Sequence, residues 1–322
     1  MSGRLTPCPP AVSPSLAAVL VLGGCTSGAT PDPLSIPTPS GHRGGNGLPA
    51  PLAMTPTGEP APQQRVAAIG DGIFSVACPY SHTLPDDPIV APGQPGMAHS
   101  HDFGCNRGTN ALSTVESLTL AAEGTSADQL GDTSAVWWPT LYQNGFSLQP
   151  KAVFTYYDAG RLPTVRAFPP GLKIIAGNAG AVELQDPRVM QWGCVGQPMT
   201  AGTSIPPETC PTLMVLRIDF PNCMKSTLDL DSADHKAHMA YSWVDGSPDK
   251  CPTSHPVGTV ALNIGIRWEV TEPHGVLTLS SGAPRTAHAD YVHSWDQAVF
   301  DTRLQNCILA AIKCGTRQDG IG

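Results

Sequence analysis

Nine of the ten histidines lie in the last four fifths of the chain, and most fall in three short segments that also carry aspartate. The first is His99-Ser100-His101-Asp102-Phe103. If it is extended, His99 and His101 project from one face and Asp102 from the other, a spacing that suits two imidazoles on one metal ion or a histidine paired with a carboxylate for proton transfer. The second runs from Asp229 to Tyr241 and holds Asp234, His235 and His238. Its two histidines share a side only on a helical turn, where Asp234 and His238 are also neighbours. The third holds His288, Asp290, Tyr291 and, after Ser294, Trp295 and Asp296. His288 and Asp290 repeat the one-face pairing of an extended segment. Ser294 reads as the cap of a following helix, with Asp296 in its first turn.

Three such coincidences predict one convergent His/Asp site. Its first reading is cleavage of a glycosidic bond by hydrolysis or elimination, with His101, Asp102, Asp234, His235, His238, His288 and Asp290 as the pool of acids and bases. Tyr241 or Tyr291 would serve as a proton donor at the leaving oxygen, and Trp295 as a flat surface for a sugar ring. A second reading is a divalent-metal enzyme with His99, His101, His235 and His288 as ligands. A third is a non-catalytic glycan-binding or structural protein of the cell wall, in which Trp137, Trp138, Trp243 and Trp295 stack on sugar. Other chemistries lack their motifs. There is no G-x-S-x-G elbow, no C-x-x-C pair, and neither G-x-G-x-x-G nor a P-loop, so no nucleotide cofactor is expected.

The compartment follows from the start of the chain. The apolar stretch Ser15 to Gly24 is too short to span a bilayer and fits a secretory leader. It ends in Leu22-Gly23-Gly24-Cys25, which resembles a bacterial lipobox with Cys25 as the lipidated residue. The expectation is therefore a signal peptide over 1–24 and an exported protein, either a lipoprotein on the outer face of the cytoplasmic membrane or secreted. Residues 25–64 are rich in Pro and Gly, with nine and six between Thr26 and Gln64, and read as a disordered tether. A net charge of −8 argues against nucleic acid as a partner. Extracellular glycan is the expected one, with the membrane touched only through the lipid.

Residues 65–322 read as one domain that must position the histidines. Thirty-three Gly and 34 Pro in the chain leave little room for long helices, while 41% apolar residues demand a core. The strict alternation from Val260 to Val270 predicts a strand with one wet face. Val153 to Tyr157, Leu172 to Ala176, Val189 to Cys194, Leu213 to Phe220 and Val276 to Ser280 are further strand candidates, and a helix is expected from about Ser294 through Phe300, Leu304 and Ile308. The predicted fold is mainly β, an antiparallel sandwich or jelly roll with long loops and a C-terminal helix. In an exported chain the even set Cys78, Cys105, Cys194, Cys210, Cys223, Cys251, Cys307 and Cys314 predicts four disulfides, with Cys307 and Cys314 forming a local clasp.

These segments occur among a longer series of words: HSHDF from His99, VWWPTLY from Val136, FPPGLKIIAG from Phe168, WGC from Trp192, FPNC from Phe220, LDSADHKAHMAY from Leu230, CPTSHPV from Cys251 and HADYVHSWD from His288. In this order they resemble the uncharacterised domain-of-unknown-function family numbered nineteen-ninety-six, found in secreted fungal and bacterial proteins. Gly104, Cys105 and Met224 depart from its usual residues. The resemblance implies export and, because fungal relatives can carry carbohydrate-binding modules, a setting among glycans. It implies no reaction.

Overall fold

The computed structural model describes residues 64–65, 72–121, 124–198, 203–270 and 273–315. The expected leader, the lipobox at Cys25 and nearly all of the tether lie outside the described residues. The fold is mainly β, built around two sheets whose strands are β1 (Ile73–Ala77), β2 (Tyr80–Leu84), β3 (His101–Cys105), β4 (Ala135–Pro139), β5 (Ala152–Asp158), β6 (Lys173–Gly177), β7 (Met190–Cys194), β8 (Met214–Asp219), β9 (Ala261–Trp268), β10 (His288–Val292) and β11 (Lys313–Cys314). One sheet has the order β6-β10-β4-β3-β2 and the other β7-β8-β9-β5-β1-β11. Pairing within them is antiparallel except between β1 and β11.

The core lies between these sheets because their facing side chains alternate apolar along each strand. Val136, Trp138, Ile174, Ala176, Ala289 and Tyr291 come from the first sheet; Phe74, Tyr157, Trp192, Leu216, Ile264 and Trp268 come from the second. The Cys78–Cys105 disulfide ties the end of β1 to the end of β3, and so one sheet to the other. Cys194–Cys210, Cys223–Cys251 and Cys307–Cys314 complete the four bridges, the last being the expected clasp.

The first sheet carries a second, smaller core on its other face. Phe103, Ala135, Trp137 and Val292 pack there with Ile89 from the preceding loop and Leu118 from the short helix α1 (Val115–Thr119). Loop 85–98 therefore covers this face, and the strand residues pointing that way are shielded.

Each strand candidate coincides with a strand, but two details differ. The face of β9 expected to be wet is covered: Asn263 and Arg267 are buried, and the Arg267 guanidinium lies over the Phe154 ring and donates to the Tyr156 hydroxyl. The closing helix α2 (Gln297–Arg303) starts later than expected and continues as a wider turn over Leu304–Ile308. Asp296, not Ser294, is its cap, accepting from the backbone N–H of Ala298 and Val299. The Ser294 hydroxyl instead meets those of Thr119 and Thr133.

Candidate functional site

His101 lies on β3 and His288 on β10, with β4 between them. Pro139 of β4 stands opposite His101, and Asp290 of β10 stands opposite Trp137. His288, two residues before Asp290, therefore falls level with Pro139. A short side chain in the middle lets the two imidazoles lean toward each other across it. His99, just before β3, points to the same side as His101, their ring centroids 4.2 Å apart. The structure thus brings the first and third sequence segments together on the loop-covered face of the first sheet. Gly177 of β6 pairs with His288 and has φ of +81°; a Cβ there would lie 2.5 Å from the Ala287 carbonyl oxygen, so the close approach of β6 to His288 requires glycine.

The imidazoles are held in a defined tautomer. His101 Nδ1 lies 2.9 Å from the Asp86 carbonyl oxygen and His288 Nδ1 lies 2.9 Å from that of Thr286. A carbonyl only accepts, so in each ring Nδ1 carries the hydrogen and Nε2 is left with a bare lone pair. These lone pairs converge: His101 Nε2 is 3.5 Å from His288 Nε2, which is 3.2 Å from His99 Nε2. His101 is 0% and His288 4% exposed. Burial, reinforced by the neighbouring imidazoles, lowers the pKa of each to about 3, so both rings are neutral at physiological pH. Burial also lowers His99, which remains partly open to solvent.

Two carboxylates lie beside His101. A ligand atom from each of Asp87, His101 and Asp290 lies within 4.8 Å of the others, as it does for His99, His101 and His288. Asp290 is 1% exposed, its Oδ2 has no hydrogen-bond partner, and burial followed by the charge of Asp87 pushes its pKa well above the carboxylate range. One oxygen of Asp87 accepts from the backbone N–H of Ile89 and Val90. Asp86 anchors the loop that supplies it: its carboxylate accepts from Gly96 N and Ala111 N, while its carbonyl orients His101. Asp86 and Asp87 were not legible as site residues. Their only signal is a pair of acids in a Pro- and Gly-rich stretch shortly before His99.

The other expected site residues lie elsewhere. Asp102 points to the opposite face of the sheet, where it accepts from the hydroxyls of Thr83 and Thr140, and burial raises its pKa to about 6. The second segment forms turns, not a helix, along the β6 edge. His238 bonds the Lys173 carbonyl and the Ser232 hydroxyl; His235 bonds Asp231; Asp234 accepts from Ser232, Lys236 N and Ala237 N. His235 therefore does not join His99, His101 and His288 as a ligand. Tyr291 is fully buried between the sheets, its hydroxyl bonded to Tyr157, Ser134 and His293, and Trp295 packs edge-on against Phe74 and Tyr157. Both are core residues, out of reach of a substrate. Tyr241 donates to the Asp219 carbonyl and stacks on Trp243, whose ring is also covered by the Arg188 guanidinium. Trp137 and Trp138 are likewise buried, which removes them as sugar platforms.

Two other features are set aside on chemistry. Cys78, Cys105 and Asp132 are close enough to hold an ion, but both sulfurs are consumed in their disulfide. A cleft of about 450 Å³ lined by Leu162, Asp245, Lys250 and Pro252 contains no imidazole.

The fold and site define a disulfide-bonded β-sandwich with a His/Asp cluster on the covered face of one sheet. The family described as Domain of unknown function (DUF1996) matches residues 87–295, about two thirds of the chain, from Asp87 to just beyond Asp290. The chain belongs to that family. No curated protein and no solved structure matches it.

Proposed function

We propose that this is an exported, divalent-metal-dependent enzyme that cleaves bonds in an extracellular glycan, with His99, His101, His288 and one carboxylate of Asp87 and Asp290 as ligands. The observation that carries the metal is the meeting of two bare Nε2 lone pairs at 3.5 Å with no hydrogen available between them. Two acceptors repel unless a cation lies between them. Imidazoles bound at 2.0–2.1 Å in a tetrahedral set place their nitrogens about 3.3–3.4 Å apart, and the two separations here are 3.2 and 3.5 Å. Hydrogen bonding of the remote ring nitrogen to a backbone carbonyl is the usual outer support of a metal-bound histidine. The set of nitrogen and carboxylate donors suits zinc or another first-row divalent ion.

Such an ion would polarise a substrate oxygen or bring a bound water to a pKa of about 7. The chain itself holds the imidazole ligands neutral and oriented, and keeps the second carboxyl group beside them for proton transfer. His99, the half-open member, marks the side from which substrate arrives. Hydrolysis without metal would need two carboxylates across an open groove, whereas Asp87 and Asp290, the two carboxylates on this face, are both buried. Four disulfides are compatible with an extracellular protein, and no helix among the described residues is long and apolar enough to cross a membrane. Export by the leader, a lipid on Cys25 and glycan as substrate rest on the sequence words above.

The test is elemental analysis of the purified full chain, followed by release of reducing ends from a panel of glycans before and after chelation. One equivalent of metal, removed together with activity, is expected. A protein that binds no metal after incubation with zinc, manganese or copper overturns the reading.

A further inference from the structure

We propose, building on the metal reading, that Lys236 selects the substrate by binding one carboxylate of the sugar presented to the centre, so that the substrate class is a uronate-bearing glycan. The second His/Asp segment then serves the site through its lysine and not through its histidines. Asp234 fixes the turn by accepting from Lys236 N and Ala237 N, and His235 adopts a left-handed φ of +58°. The turn thereby presents Lys236 over the end of β6, where its ammonium donates to the Gly177 carbonyl at 2.6 Å. Gly177 pairs directly with His288, so the ammonium stands one strand away from the converging imidazoles.

Three properties fit this role. Lys236 is exposed, and among the described residues it has no carboxylate within ion-pair distance, unlike Lys151 and Lys173. Its one hydrogen bond among the described residues, to the Gly177 carbonyl, leaves two ammonium hydrogens for a ligand. It also acts electrostatically on the buried Asp290. Lys236 adds a positive charge beside that of the divalent ion. An ammonium is a compact point charge, suited to a single anionic group such as one carboxylate. The overall charge of −8 opposes a long polyanion, which restricts the contact to a sugar at the centre itself.

The experiment measures binding of a uronate trisaccharide and its fully methyl-esterified form to the zinc-loaded full chain, with zinc content determined in parallel. The wild type is expected to prefer the acid by about tenfold, a preference that shrinks as salt screens the charge. Lys236→Met should abolish the preference at unchanged zinc content, and Lys236→Arg should keep most of it. Equal binding of acid and ester, no binding of either, or a preference that survives in Lys236→Met overturns the proposal. If zinc fails to bind but the acid preference is present and lost in Lys236→Met, the metal reading falls and the lysine assignment stands.

Discussion

Two regions of this molecule carry nearly the same letters, His and Asp at spacings of one to four, and use them in opposite ways. Along the β6 edge, His235, His238 and Asp234 spend their polar atoms on Asp231 and Ser232 and on backbone groups. On the covered face of the first sheet, His101 and His288 spend only Nδ1, and Asp290 keeps a buried oxygen without a partner. The first region is a satisfied turn. The second is a set of donors lacking an acceptor of their electrons, and an unsatisfied buried polar group is costly enough to demand an explanation. Spacing therefore nominates residues, and the convergence of unspent donor atoms separates ligands from braces.

The largest expected effect tests that separation directly. Loss of an outer partner of a metal-bound histidine typically costs 10- to 100-fold in affinity, so removing the ligand itself in His288→Ala should weaken zinc binding by more than about 100-fold. Competition with a chromophoric chelator measures this, and the comparison breaks if His238→Ala loses as much. Next is the Cys223–Cys251 bridge, which spans 28 residues that include the whole second segment. Replacing both cysteines by serine should lower stability in urea by roughly 3–4 kcal/mol through regained chain entropy, while zinc stoichiometry stays unchanged.

His238→Ala should cost about 1–3 kcal/mol, because the Lys173 carbonyl loses its buried partner; the same titration in urea reads it, and metal content should not move. The last effect is a slope. His293, in neither region, is fully buried, and its pKa falls from the usual 6.5 to about 3 chiefly by desolvation. Its folded pKa lies below the unfolded one, so its stabilisation is complete above pH 6.5 and is lost as pH falls toward 3. This amounts to about 1.4 kcal/mol per pH unit for one proton. His293→Gln should flatten the acid limb of stability against pH by that amount between pH 4 and 6, as measured by urea unfolding at each pH.

Much of the scaffold was legible because it follows from periodicity. The alternation around Leu262 to Trp268, and the even cysteine set, each translate directly into an element or a bridge. The strands that carry the site were harder. His101 to Cys105 shows no apolar alternation, and in His288 to Val292 the polar face of an alternating strand is one that loop 85–98 then buries. Only the reasoning that His99 with His101, and His288 with Asp290, would share a face if extended anticipated their geometry. Asp87 was invisible because it reaches the cluster through a loop anchored by Asp86, a contact made by tertiary folding alone. Tyr291 and Trp295 misled for the reverse reason: aromatic residues next to a site are as readily core as platform.

The division of labour between sheet and loop has a consequence for how such a protein changes. His101, His288 and Asp290 are tied to strands whose backbone pairing also holds the two-sheet core together, so they are expensive to relocate. Asp87 arrives on a loop closed by the Asp86 carboxylate, which accepts from Gly96 N and Ala111 N, and by the Pro85 carbonyl, which accepts from Ala98 N. That segment is an exchangeable part. Grafting loops of other composition between Leu84 and His99, with the Asp86 anchor kept, would vary the donor set and the access route while the β-framework stays the same.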